Sequence, residues 1–445
     1  MTATIQIQTP AGSNIVSFTG AILANIVSIA RGAGAIRITG ANGDQVTIKG
    51  SGFTYDVNGF LTGGTATSVS WLNNGANYAV ASAFSLDAAL VASTILTGTV
   101  QQFFNLFPAI NFVGNDGIDT GYGGLAGDSL SGGLSDDQLY GNGGSDTIAG
   151  GDGGDLMRGG SGTDTLDYRT SAAGVTVNLQ NNTSSGGDAQ GDNFNNFESV
   201  WGSAASDRLS GNAIVNELKG GNGDDVLKGG AGGDTINGGI GSDTASYTGS
   251  SAAVVIDLST NIVSGGDAAG DTLISIENVE GSGFGDTITG SSASNKISGG
   301  AGDDTLNGGE NADTVSGGAG ADRIIGGRGI DHLSGGADAD TFVLATLAGN
   351  RDIISNFVAG IDTLEVSAAL FKGGLLAGVD LTAGQLAINA TGLAGGINDR
   401  FILNSATGEL FYDINGSVGG ANGSRLVAEF SGAVPVLTIA DFDVT

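Results

Sequence analysis

The sequence predicts a mainly β protein built around a parallel β-roll, on three observations. A nine-residue unit recurs without insertion inside three blocks. Two of its nine columns hold one residue class almost throughout. Glycine contributes 83 residues and proline only 3, as expected of many tight turns between short strands. Collagen would need Gly at every third position with abundant Pro. A flexible or disordered chain would not carry 40% hydrophobic residues.

The units begin at Gly114, Gly123, Gly132, Gly141, Gly150 and Gly159 in the first block. The second block begins units at Gly202, Gly211, Gly220, Gly229 and Gly238, and the third at Gly281, Gly290, Gly299, Gly308, Gly317, Gly326 and Gly335. GGNGDDVLK at 220–228 and GGAGDDTLN at 299–307 are clear copies. Column six is Asp except at Asn216 and Asn295. Column eight is a large apolar residue except at Gly121 and Ala245.

Each column has a physical reading. The glycine-rich positions one to five permit φ > 0 and a tight turn. Positions seven to nine read polar, apolar, polar, a three-residue strand with one side chain inward. Two units then make one coil of a flattened helix. Stacked coils give two facing parallel sheets with column eight between them.

Charge adds a constraint. There are 46 acidic residues against 15 basic ones, a formal net charge of −31. Nucleic acid and anionic membrane surfaces are poor partners for such a chain. Column six would stack carboxylates at the spacing of adjacent strands, about 5 Å, which is repulsive without a counter-charge. Ca²⁺ is the natural candidate, because carboxylates and turn carbonyls supply the oxygen ligands it prefers. Folding is then expected to be coupled to metal binding.

With its GGxGxDxUx units the chain resembles the repeats-in-toxin (RTX) family of calcium-binding, haemolysin-type repeat proteins. The resemblance implies multiple Ca²⁺ ions held between turns by the column-six Asp and backbone carbonyls. It points to Asp119, Asp128, Asp137, Asp146, Asp155 and Asp164 in the first block. In the second it points to Asp207, Asp225, Asp234 and Asp243. In the third it points to Asp286, Asp304, Asp313, Asp322, Asp331 and Asp340. Units 211–219 and 290–298 lack the second and fourth Gly and the Asp, so weak or absent metal is expected there. Unit 335–343 has Asp338 in place of the fourth Gly and marks the end of the regular array.

The spacers 168–201 and 247–280 align without a gap at an offset of 79, matching Tyr168 to Tyr247, Asp192 to Asp271 and Glu198 to Glu277. VTVNL at 175–179 and VVIDL at 254–258 read as strands. The spacers are read as wider turns of the same solenoid, and Asp188, Asp192, Asp267 and Asp271 as candidate additional ligands. The roll region is thus 114–344.

Residues 1–113 read as a small α+β unit. Strands are expected at 3–9 and 45–50, and helices over Ser82–Ser93 and Thr99–Phe107, the second closed by Pro108. Phe84, Leu86, Leu90, Phe103, Phe104 and Phe107 form its expected core. Residues 345–445 read as a β-rich cap with a hairpin at 400–416. Residues 352–367 resemble the segment that closes the roll in secreted metalloproteases of this family. The last residues, LTIADFDVT, resemble the uncleaved C-terminal signals read by type I secretion machinery.

MTATIQIQTP lacks the basic and apolar regions of a secretory leader, and no run reaches membrane-spanning length. Cysteine is absent, which excludes disulfides. The expectation is a secreted, extracellular, non-enzymatic protein acting in the matrix, in adhesion or at the cell surface. His332 is the only histidine, in an outward column, and no HExxH motif occurs. The alternatives are an enzyme with its site in residues 1–113 or 345–445, and a secretion scaffold for the N-terminal unit.

Overall fold

The computed structural model describes residues 109–344 except 115, and 351–445 except 372–374, 397 and 416–423; before residue 109 it describes the backbone of six strands. The chain forms two compact units, Met1–Asn212 with Asn216–Asp225, and Ala213–Val215 with Val226–Thr445.

In the first unit, Ile26–Arg31, Ala35–Gly40, Gln45–Tyr55, Leu61–Asn73 and Ala76–Asp87 form an antiparallel meander. Ala3–Ile7 adds to its last strand antiparallel and pairs on its other side with Ile110–Val113 in parallel. The meander therefore continues directly into the roll and covers what would be an open solenoid edge. The helix expected from Ser82 is corrected: Ser82–Asp87 is strand, with Ser82 opposite Ser68 and Leu86 opposite Ala66. Val80, Phe84 and Leu86 stand at even spacing, and this period of two prevails over the helical reading. The described part of residues 1–113 is thus β. The expected helix over Thr99–Phe107 lies outside the described residues, as do the side chains of the expected N-terminal core.

Parallel pairing at an interval of eighteen residues builds the roll. Leu139 is opposite Met157, and Ile148 opposite Leu130. Successive units alternate between two sheets, so two units make one coil, as the repeat predicts. Leu130, Ile148, Leu166, Val200 and Leu218 stack in one sheet, and Leu139, Met157 and Phe194 in the other. All are buried. Gly121 breaks the apolar column because a Cβ there would lie 2.8 Å from the Phe112 ring, which fills the space instead.

The second unit repeats the pattern. Ile288, Leu306, Ile324, Phe342, Leu364 and Phe442 stack in one sheet. Val279, Ile297, Val315, Leu333, Ile354 and Phe430 stack in the other. Regular strands are longer than the expected three residues. Thr305–Glu310, for example, has 6, because the next unit's Gly308 and Gly309 continue the ladder, Gly309 opposite Gly327. Glycine carries no Cβ, so the sheet passes through the first two positions before turning.

The spacers continue the solenoid. Asn193–Asn195 pairs in parallel with Leu156–Ser161, and Ser199–Trp201 with Thr165–Asp167. Thr272–Ile274 and Asn278–Glu280 do the same in the second copy. The additional length forms a small hairpin, Thr176–Asn178 with Thr183–Ser185, and Val255–Asp257 with Ile262–Ser264 in the repeat of it.

At the C-terminal end Asp352–Ser355 and Thr363–Val366 each extend one sheet. Ser424–Phe430 and Phe442–Val444 follow them in parallel. Phe401–Asn404 and Glu409–Asp413 form the expected hairpin. Phe371, Phe401, Tyr412 and Phe442 pack ring against ring at centroid distances from 4.7 to 5.8 Å, giving this end its own core.

Candidate metal centre

Every column-six Asp is withdrawn from water, none being more than 5% exposed. Parallel stacking explains their position, since each turn places its sixth residue directly over the one eighteen residues earlier. The backbone N–H of one then donates to Oδ1 of the next. Asp119 donates to Asp137 (2.6 Å), Asp137 to Asp155 (2.7 Å) and Asp128 to Asp146 (2.8 Å). Asp286 donates to Asp304 (2.6 Å), Asp304 to Asp322 (2.9 Å) and Asp313 to Asp331 (2.9 Å). Asp207 likewise donates to Asp225 at 2.8 Å.

The ladder includes residues that the nine-residue period does not mark. Asp155 donates to Asp192 and Asp234 to Asp271. Asp164 donates to Glu198 and Asp243 to Glu277. Asp331 donates to Asp352 and Asp340 to Asp362. A signal for them was present: each precedes by two positions a buried apolar residue, Phe194, Leu273, Val200, Val279, Ile354 or Leu364. They keep the last part of the unit without its glycines. Asp188 and Asp267, the other spacer candidates, stand off the ladder; their N–H groups take Ser171 and Ser250 Oγ.

The second carboxylate oxygen carries the chemistry. Oδ2 of Asp137, Asp146, Asp155, Asp164, Asp304, Asp313, Asp322 and Asp340 is buried and accepts no hydrogen bond. A buried, unpaired anionic oxygen is costly. Around it stand further oxygens. A Cβ on Gly132 would lie 2.2 Å from Asp137 Oδ2 and 2.5 Å from the Gly150 carbonyl oxygen. Gly317 faces Asp322 Oδ2 and the Gly335 carbonyl in the same way. Glycine at position one therefore keeps open a space where carboxylate and carbonyl oxygens from successive turns converge.

The electrostatics agree. Burial pushes Asp137, Asp146 and Asp304 up to about 7, against backbone N–H bonds that hold them down, with neighbouring carboxylates adding to the rise. The same causes bring Asp313 and Asp340 to about 6. Among the described residues no three acidic or histidine side chains converge on one point. A cation here would be held by one or two carboxylates completed by backbone carbonyls. That is an all-oxygen set suited to Ca²⁺, and the donor set fits the ion that the repeat implies.

At the two Asn positions an amide stands in this place. Asn216 Nδ2 donates to the Glu198 carbonyl (3.0 Å) and Asn295 Nδ2 to the Glu277 carbonyl (2.6 Å). His332 is exposed, as its outward column predicts. Among the described residues no helix is long and apolar enough to cross a membrane.

A family model for the RTX calcium-binding nonapeptide repeat matches residues 113–148, 140–168, 210–245, 280–315 and 316–345. A comparison with curated proteins finds no match. The matched segments cover the first and third repeat blocks and the second from residue 210. The repeat blocks of this chain belong to the RTX calcium-binding nonapeptide repeat family.

Proposed function

We propose that this chain is a secreted, non-enzymatic protein whose roll closes on binding extracellular Ca²⁺, and that it acts in the matrix, in adhesion or at the cell surface. The observation that carries the reading is the row of buried, unpaired Oδ2 atoms from Asp137 to Asp164 and from Asp304 to Asp340. Bound Ca²⁺ supplies the positive charge that this row otherwise lacks. The column-six residues hold adjacent turns in register through N–H to Oδ1 bonds, and the first-position glycines keep the oxygen-lined space clear. Where Ca²⁺ is scarce, as in a cytosol, repulsion along the ladder opposes closure, and an open chain suits a narrow export channel. The resemblance of LTIADFDVT to type I signals supports that route. Its test is far-UV circular dichroism of chelator-treated protein during Ca²⁺ titration. A cooperative gain of β signal is expected near about 10⁻⁴ to 10⁻³ M, the range of extracellular modules, with little response to Mg²⁺. A chelated protein that already shows the full β signal would exclude the switch.

A further inference from the structure

The ladder carboxylates fall into two geometries, and the second residue of the unit distinguishes them. Ahead of Asp137, Asp146, Asp155 and Asp164 stand Gly133 (φ 114°), Asn142 (φ 74°), Gly151 (φ 97°) and Gly160 (φ 119°). Ahead of Asp304, Asp313, Asp322 and Asp340 stand Gly300 (φ 118°), Gly309 (φ 112°), Gly318 (φ 124°) and Gly336 (φ 125°). This left-handed conformation favours Gly or Asn. In all of these units Oδ2 accepts no hydrogen bond.

In the units of Asp128, Asp207, Asn216, Asp286 and Asn295 the second residue has no positive φ, and its N–H points into the turn. Gly124 donates to Asp128 Oδ2 (2.5 Å), Ser203 to Asp207 Oδ2 (2.6 Å) and Ser282 to Asp286 Oδ2 (2.5 Å). Ser203 and Ser282 add their hydroxyls to Oδ1 of the same carboxylates at 2.9 and 2.8 Å. Asn212 and Ser291 donate in the same way to Asn216 and Asn295. In the spacers Tyr168 and Tyr247 play this part for Asp192 and Asp271.

We propose that the backbone conformation at the second position sorts the ladder into open carboxylates that take Ca²⁺ and closed ones that do not. Asp128, Asp207 and Asp286 then match the motif yet hold no ion, because backbone and hydroxyl hydrogens already occupy the oxygens a cation would use. The Ca²⁺ sites lie in interrupted runs, and the turns that follow each spacer are held by hydrogen bonds alone. This assignment rests on the reading that the open ladder binds Ca²⁺.

The test is the number of ions bound per full-length chain at saturating Ca²⁺, measured by equilibrium dialysis with radioactive calcium. Asp286→Asn and Asp207→Asn are compared with Asp313→Asn and Asp137→Asn. Asn already occupies column six at Asn216 and Asn295, so the substitution is compatible with the fold. Circular dichroism at saturating Ca²⁺ verifies that each variant keeps the β signal. Asp313→Asn and Asp137→Asn are expected to lose at least one ion each, and Asp286→Asn and Asp207→Asn none. Equal losses in all four would overturn the sorting while leaving the Ca²⁺-binding ladder standing. No loss in any of them would overturn the ladder reading itself.

Discussion

Tyr168 donates its phenolic proton to Oδ2 of Asp192 across 2.8 Å, and both side chains are buried. Tyr247 and Asp271 repeat the pair at 3.1 Å. Burial and the adjacent carboxylates push both phenols upward, so each donates its proton and does not ionise. A neutral hydroxyl thus satisfies a carboxylate at the turn where each spacer rejoins the roll.

Tyr247→Phe keeps the ring and removes the donor from Asp271. Leaving a buried carboxylate oxygen without its partner is expected to cost about 1–3 kcal/mol. Urea unfolding at saturating Ca²⁺ measures the loss. Tyr140→Phe is the control, because the Tyr140 hydroxyl makes only an exposed bond to Gln138 at 3.2 Å, and its change should stay within about 0.5 kcal/mol.

Leu306 lies at 0% exposure between Ile288 and Ile324. Leu306→Ala is expected to destabilise the Ca²⁺-bound protein by about 2–5 kcal/mol, the usual cost of an emptied core position. Gln138→Ala, on an outward position of the same kind of strand, should cost under about 0.5 kcal/mol. Similar costs for the two would contradict the two-sheet core.

Acid should partly replace calcium. Carboxyls that ionise near about 3.9 when unfolded are raised in the metal-free fold, Asp137, Asp146 and Asp304 to about 7 and Asp313 and Asp340 to about 6. A raised carboxyl binds its proton more tightly in the folded state, so protonation favours folding. Their contribution is full below about pH 4 and is lost as pH rises through 6 to 7. Chelated protein should therefore gain β signal as pH falls from about 8 to about 5, and Ca²⁺ should bind more weakly over the same interval. Circular dichroism with and without chelator reads both. A metal-free β signal that stays flat across this range would count against the ladder electrostatics.

Much of this was legible in the residues because one interval governs the array. The spacing from Leu139 to Met157, or from Asp304 to Asp322, is two units, and a constant interval places every strand, core residue and carboxylate at once. The reading failed where that interval breaks. Asp352 lies 21 residues beyond Asp331, and Asp362 lies 22 beyond Asp340, so both escaped a count by nines although they take the same rung. Ser82–Asp87 was misread because Phe84 and Leu86 satisfy a period of two, while the run through Leu90 also fits a helix. The sorting of carboxylates was hidden because it depends on φ at the second position. Gly124 and Gly133 are identical in sequence, and only Gly133 adopts φ > 0.

The eighteen-residue pairing also governs which changes of length the array tolerates. The two sheets end differently: Asp352–Ser355 and Ser424–Phe430 complete one, Thr363–Val366 and Phe442–Val444 the other. Removing two consecutive units from the third block shortens the stack by one coil and returns each closing strand to its own sheet. Removing a single unit exchanges the sheets, so that the aromatic cluster of Phe371, Phe401, Tyr412 and Phe442 arrives at the wrong face. Within the third block, a change of length by pairs of units therefore keeps each closing strand on its own sheet, and a change by one does not.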